Sequence, residues 1–344
     1  MLLIVRHGRH RGPRVRFRGY RPEKYDSLFG WIRRNHPETH VRLKFWATGD
    51  PKPAGLAGIR AVFFFLQDPL LERFPDCFAE AAELAGRARE QGIRLVNPPE
   101  ALSHSIKSIQ SRLWADAGIP TPAHLGFTDR TGLLAVMQQV TYPAILRADR
   151  LHTQAGMRFI SCASDVLAIP EAQISYPGTI TPFEDTRAGY SVTAPGTPWS
   201  QLYHKKRVMV FGDHAQNNHL FFGPDPIVSS STCSFGYYRS LNPLRRLRGR
   251  LACRPHLALD YDFFCAQPEQ PDLFHRAARA LNLNWIAIDY STRADGTVVL
   301  WEANPYFAIG GWPWPILPGP RRLAGRHDSL NATAYRFMKD ALTT

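Results

Sequence analysis

The 344-residue chain has few lysines, few cysteines and no long apolar run. A bilayer span needs roughly 18 to 20 consecutive apolar residues, and no stretch of that length is present. Basic residues follow the short apolar start instead of preceding it, which argues against a secretory signal. The five cysteines, Cys77, Cys162, Cys233, Cys253 and Cys265, stand far apart. Without a Cys-x-x-Cys pair they give no sign of a zinc ribbon or a dithiol redox site, and a reducing cytoplasm is the simplest expectation. Lysine occupies only positions 24, 44, 52, 107, 205, 206 and 339, so arginine carries nearly all of the +13 net charge. The density peaks at 6–21 (RHGRHRGPRVRFRGYR) and 245–254 (RRLRGRLACR). Such runs attract polyanions. An arginine bias spread through an Ala- and Pro-rich chain is also a compositional habit, however, and nucleic acid is not the expected partner.

With 44% apolar and 21% charged residues, the chain can bury a large core and form two or three structural units. Apolar runs at 2–5 (LLIV), 41–46 (VRLKFW), 61–66 (AVFFFL) and 93–97 (IRLVN) read as strands, and 78–92 sets Ala and Leu at helical spacing before a Gly92 stop. That rhythm predicts a parallel, Rossmann-like α/β sheet over 1–100. The run NPPEAL (97–102) breaks it and marks a boundary. Ile106, Ile109, Leu113 and Trp114 then share a helical face, and Gly118, Pro120 and Pro122 end that helix. Strands at 142–148 and 158–162 flank a loop at 151–157, and two more surround Gly212-Asp213 within 204–222. A helix is expected at 273–283 and a hairpin at 285–291 and 297–305. Segment 223–262 has no clean period, the C-terminus is expected to fray, and no internal repeat is visible. The expected units are 1–100, 101–190 and 191–344.

The last hairpin carries the chemistry. Glu302 and Asn304 are two apart on one strand and share a face, and Asp289 sits on the antiparallel partner across a short turn. Two carboxylates and an amide oxygen make a hard-oxygen cluster suited to Mg²⁺ and open to phosphate oxygens. The competing reading is a solvated edge hairpin.

Here the chain resembles the ATP-grasp superfamily of glutathione-synthetase-like and glutamate-ligase-like carboxylate-amine ligases. The family's metal strands read Asp and then Glu-x-Asn-Pro, as Asp289 and Glu302-Ala303-Asn304-Pro305 do. IKSIQSRLWADAGIPTP is similar to the family's helix with an ATP-contacting lysine before Gly-Ile-Pro-x-Pro, which places that lysine at Lys107. YPAILRADRLHTQAGM is similar to the strand that ends in a second nucleotide lysine ahead of a phosphate loop, and KKRVMVFGD to the strand whose catalytic arginine reaches the phosphates, here Arg207. The four motifs stand in the family's order over about residues 100–306. The resemblance implies ATP and Mg²⁺ as cofactors and an α/β (α+β) architecture in which two α+β subdomains grip the nucleotide behind the N-terminal sheet.

Some positions depart from the pattern. Residue 147 is Arg where a lysine is usual, and the planar guanidinium is not a like-for-like substitute for an ammonium. The loop has only Gly156 to give it backbone freedom, and His152 on it could donate to a γ-phosphate or be an exposed loop residue. Glu184 or Asp185, in ITPFEDTR, falls where members place an acidic residue near the adenine or ribose. His204, His214 and His219 surround the Arg207 hairpin. His214 reads as a turn residue, Asn217 and His219 as cleft-lining, and the spacing does not suit zinc.

The resemblance implies a carboxylate-amine ligase that passes through an acyl phosphate and releases ADP and phosphate. Its substrates would be a small-molecule or peptide carboxylate and an amine, with an acidic one suited to the arginine-rich runs. An aromatic lining from Tyr306, Phe307, Trp312 and Trp314 would suit an apolar or aromatic acceptor, although packing against the core explains those residues too. The triplet Arg6-His7-Gly8 also resembles the phosphohistidine signature of the histidine phosphatases. Arg9, His10 and Arg11 follow it in place of that family's acidic or Gln residue and Asn, so an anion-binding loop (Arg6, Arg9, Arg11) or a structural one is expected instead. The alternatives are a kinase on the same scaffold and a basic nucleic-acid-binding protein with a decayed nucleotide site.

Overall fold

A computed structural model describes residues 1–8, 25–151, 156–189, 202–228, 244, 256, 258–307, 309 and 324–343. Among these, three four-stranded sheets organise the chain. The first contains β1 (Leu2–Arg6), β2 (Leu43–Ala47), β3 (Ala61–Phe65) and β4 (Arg94–Val96), all parallel in the order β2-β1-β3-β4. All five residues of β3 are buried, as expected when helices cover both faces of a parallel sheet. Helix Asp26–Asn35 covers one face with Leu28, Phe29 and Ile32, and helix Pro75–Glu90 covers the other with Cys77, Ala81, Leu84, Ala85 and Ala88.

At 97–102 the strand-helix rhythm gives way to a different local structure. The chain forms a 3₁₀ helix, Pro99–Ser105, with Ala101 and Leu102 fully buried. Asn97, at φ 52°, ties the end of the first sheet to the last. Its Nδ2 donates to the Trp285 carbonyl at 2.6 Å, and its Oδ1 accepts from Asn284 N and Trp285 N at 2.9 and 3.0 Å.

The second sheet contains β5 (Leu125–Phe127), β6 (Ala144–Ala148), β7 (Arg158–Ile160) and β8 (Gly178–Pro182), antiparallel in the order β5-β8-β6-β7. It has a core of its own, built around Phe127, Leu133, Leu146, Ile160 and Ile180. The third contains β9 (Tyr203–Phe211), β10 (His214–Gly223), β11 (Trp285–Thr292) and β12 (Val298–Asn304), antiparallel in the order β10-β9-β11-β12. The first and third sheets share two cores. Leu3, Val5 and Phe64 meet Val208, Ile286 and Leu300 in one, and Leu2, Ile4 and Phe63 meet Met209, Phe211 and Trp285 in the other. The C-terminal stretch expected to fray is a helix, Ala324–Thr343, whose Leu330, Ala334, Phe337, Met338 and Ala341 complete the second core. Among the described residues no helix is long and apolar enough to cross a membrane.

Candidate active site

One face of the third sheet changes character along its strands. On β9, Phe211 and Met209 lie in the second core, and the next two side chains on that face are Arg207 and Lys205. On β11, Trp285 and Ala287 are followed in the same way by Asp289. Asp289 stands directly opposite Arg207 on one side and Glu302 on the other. Its carboxylate is doubly held: Arg207 Nε donates to Oδ1 at 2.6 Å and Nη2 to Oδ2 at 3.0 Å, while Lys205 Nζ donates to Oδ2 at 2.9 Å. Burial pushes the Asp289 carboxyl up, but Arg207 and Lys205 outweigh it and hold the group below the usual aspartate value.

Glu302 meets a second pair of cations, brought from other elements. Arg147, on β6, donates from Nη2 to Oε2 at 3.2 Å, and Lys107 Nζ lies 3.5 Å from Oε1. Lys107 is the first residue of helix Lys107–Asp116 and is fully buried, with no hydrogen-bond partner at its ammonium. Burial pushes its pKa down, opposed by Glu302 and reinforced by Arg147. Asp149, two residues beyond Arg147, pins the helix start: its Oδ1 accepts from Ser108 N at 2.9 Å and its Oδ2 from Ser108 Oγ at 2.7 Å. A carboxylate at a helix N-terminus also complements the helix dipole. Behind the pair, His124 is buried, and burial followed by Arg147 and Lys107 pushes its imidazole down to about 3. It adds no charge at neutral pH.

Lys107, Arg147, Lys205 and Arg207 thus surround Asp289 and Glu302, an excess of two positive charges in a largely buried setting. Such a site favours a polyanion. Among the described residues no group of three His, Cys, Asp or Glu side chains is placed to hold a metal unaided. The donor set nevertheless fits Mg²⁺, which keeps few protein carboxylates and completes its shell with phosphate oxygens and water. Asp289 and Glu302 are in register, Asn304 follows on the Glu302 face, and the Asn304 amide nitrogen is buried without a hydrogen-bond partner.

The remaining expected residues are placed less centrally. Glu184 is taken by Arg293, whose Nη2 donates to Oε2 at 3.0 Å. Asp185 binds Arg187 two residues on, at the surface. Gly156 has φ 72°, a backbone that favours glycine, and an added Cβ would meet Ser175 Oγ at 3.2 Å. His152, Arg9, Arg11, Trp312 and Trp314 lie outside the described residues. His219 stands opposite Arg207, on the charged face. Asn217 does not line the cleft. The register shifts between Asn217 and His219, and the Asn217 amide turns to the carbonyls of Phe263, Ala266 and Gln267 at 3.0–3.3 Å. His214, on β10, lies 3.3 Å from Asp340, and His204 is buried, with Ser291 Oγ donating to its carbonyl. Tyr306 and Phe307 pack into the second core beside Tyr25.

The Arg6-His7-Gly8 triplet is structural. Gln67 N donates to His7 Nε2 at 2.6 Å, which leaves the proton on Nδ1, 3.4 Å from Cys77 Sγ. Arg6 pairs with Asp26 at 3.1 Å and stacks over Phe29 and Phe45. A Cβ at Gly8 would overlap the Thr48 carbonyl, so only glycine lets the two backbones approach.

Sequence reasoning missed Lys205, Asp149 and an aromatic row. Period two on β9 places Lys205 with Arg207, whereas Lys206 turns to the other face and bonds Glu269 and Thr292. Phe159, Phe183 and Tyr203 run edge to face, with centroids 5.1 and 5.8 Å apart, from the second sheet to the third. Arg187 caps the row over Tyr203.

No family model matches the sequence, and no curated protein matches it. Solved structures do match. The ATP-grasp ligase PsnB complexed with minimal precursor, Mg and ADP is 16% identical over 97% of this chain and 98% of that one, with a TM-score of 0.52. The same ligase complexed with minimal precursor alone gives 16%, 94%, 99% and 0.51, and complexed with a phosphomimetic variant of the precursor, Mg and ADP gives 15%, 98%, 98% and 0.52. The fold of the chain is therefore the ATP-grasp fold, with a parallel sheet ahead of two antiparallel ones.

Proposed function

We propose that the protein is an ATP- and Mg²⁺-dependent ligase that joins a carboxylate to an amine through an acyl phosphate. The observation that carries this reading is the ring of four cations around the Asp289–Glu302 pair. In the proposed arrangement Arg147 from the second sheet and Lys107 from the helix ahead of it bind the nucleotide phosphates, and Arg207, with Lys205, holds the γ-phosphoryl from the third sheet. The aromatic row Phe159, Phe183 and Tyr203 offers the adenine an apolar wall at the junction of the two sheets. Glu184 or Asp185 would then stand near the ribose, and the loop with His152 and Gly156 would lie over the phosphates. The units 1–100, 101–190 and 191–344 belong to this reading as substrate-facing, nucleotide-covering and metal-bearing parts.

Asp289, Glu302 and Asn304 would hold Mg²⁺, which when bound neutralises phosphate charge and keeps the γ-phosphoryl in line. Release of Asp289 and Glu302 to the ion requires their four cations to turn to the phosphates. Each charge then keeps a partner, as burial demands. A substrate carboxylate oxygen attacks the γ-phosphorus, the bond to the bridging oxygen breaks, and ADP leaves. The amine then attacks the acyl carbon, a C–N bond forms, phosphate departs and the amine gives up a proton. Exclusion of water protects the acyl phosphate between the two steps. Because the PsnB structures hold a precursor, a peptide is our preferred carboxylate.

Mass spectrometry of products from ATP, Mg²⁺ and a panel of peptides and amino acids tests the reading. A product lighter by one water than its two substrates, with ADP and free phosphate, is expected. A product heavier by a phosphoryl group, with no free phosphate, would make the protein a kinase on the same scaffold.

A further inference from the structure

Glu302 is held through its backbone as well as its side chain, and we infer that Gln110 is the positioning residue that sets this carboxylate for the metal ion. The inference rests on the reading of Glu302 as a Mg²⁺ ligand. Among the described residues strand β12 is an edge strand, so its N–H and C=O groups that face away from β11 have no strand there to pair with. Gln110 supplies the missing partners on either side of Glu302. Its Oε1 accepts from Ala303 N at 2.7 Å, and its Nε2 donates to the Trp301 carbonyl at 3.5 Å.

The place of this clamp matters. Leu300 pairs with Tyr290, but Glu302 pairs with Asp289, so Trp301 is an extra residue and the strand bulges there. A bulge re-aims the side chains that follow it. Here it lets Leu300 join the apolar core while Glu302 faces the charged site. Gln110 is fully buried and sits three residues after Lys107 in one helix, where residues three apart share a face. The same helical turn therefore brings an ammonium to the Glu302 carboxylate and an amide to the peptides on both sides of it. Farther along the edge, away from Glu302, Leu300 N donates to the Pro120 carbonyl at 2.9 Å and Thr121 Oγ1 donates to the Leu300 carbonyl at 3.0 Å. These give a built-in control for plain edge support.

The test uses the full chain with saturating ADP and Mn²⁺ in place of Mg²⁺, with metal binding followed by electron paramagnetic resonance. Gln110→Met keeps the volume but leaves Ala303 N unpaired. It is expected to weaken Mn²⁺ binding by about 10–100-fold, the usual cost of losing an outer-sphere partner, and raised Mg²⁺ should restore turnover. Thr121→Val should bind Mn²⁺ as the parent chain does. Equal weakening in both variants would reduce Gln110 to general edge support and overturn the inference. So would parent-like Mn²⁺ binding in Gln110→Met while Glu302→Gln binds none. Undiminished Mn²⁺ binding in Glu302→Gln would instead overturn the metal reading itself. Should Gln110→Met fail to fold, Gln110→Asn, which withdraws the same amide by one methylene, carries the same comparison.

Discussion

Replacing Lys107 by methionine should stabilise the protein and remove its response to nucleotide. The ammonium is fully buried, lacks a hydrogen-bond partner and lies 3.5 Å from Glu302. A buried polar group left without a hydrogen bond costs about 1–3 kcal/mol. Methionine fills the same slot without that cost, and Glu302 keeps Arg147 at 3.2 Å, so no carboxylate is left unpaired. The nucleotide-free variant should therefore gain about 1–3 kcal/mol, with each kcal/mol raising the melting temperature by about 1–2 °C for a chain of this length. The folded pKa of Lys107 is lowered from 10.5, first by burial. Between that lowered value and 10.5 the unfolded chain carries the extra proton, so rising pH stabilises the parent and narrows its deficit against Lys107→Met. Calorimetric melting with and without ADP and Mg²⁺ measures both effects. At a hundred times its dissociation constant a ligand adds about 2.7 kcal/mol, a gain expected in the parent and absent from the variant. A variant that melts below the parent without nucleotide, or that gains as much from ADP, would refute the account of Lys107 as a desolvated, functional cation.

Arg147→Ala should weaken nucleotide binding, and Arg147→Lys should keep much of it if the group acts chiefly as a point charge; calorimetric titration of a non-hydrolysable ATP analogue decides, and an alanine variant of undiminished affinity would remove Arg147 from the site. His7→Ala should keep its ATP-dependent turnover but lose about 1–3 kcal/mol, because Gln67 N loses its acceptor; a labelled phosphoryl group mapped to His7 would reverse that view. Metal and nucleotide should bind synergistically, since Lys205 and Arg207 hold Asp289 until phosphates draw them off. Mn²⁺ titrated alone should bind about tenfold or more weakly than with ADP present, and ADP should show the same factor in return; equal affinities would show that the carboxylates are free from the start.

The sequence pattern showed most clearly what depends on period two. Alternation puts Glu302 and Asn304 on one face, the short turn brings Asp289 beside them, and the structure pairs Asp289 with Glu302 in register. Alternation failed where the register breaks: the irregularity after Asn217 turns that amide away from the cleft. Strands β5 and β8 escaped notice because three residues, Leu125–Phe127, carry no period and their partner lies over fifty positions away. Asp149 and Gln110 were illegible for a related reason. Their work is done on backbone groups far off in sequence, and no local pattern encodes that. The C-terminal helix was misjudged because its apolar stripe makes sense only against the second core.

The second sheet has the topology of a guest. The chain enters it on β5 and leaves it on β8, and these two strands are hydrogen-bonded neighbours, with Leu125 opposite Ile180. Among the described residues its core draws on 125–180 alone, while the sheets before and after it are fused through two shared cores. Entry and exit points therefore lie about one strand spacing apart, roughly 5 Å, and a short graft could close the host across that gap. The chain is in this sense two nested proteins. The outer one can keep Asp289, Glu302, Lys107 and Arg207 together, while the inner one contributes Arg147 and half of the cleft, so the guest could be exchanged to change what the cleft grips without rebuilding the strands that carry Asp289 and Glu302.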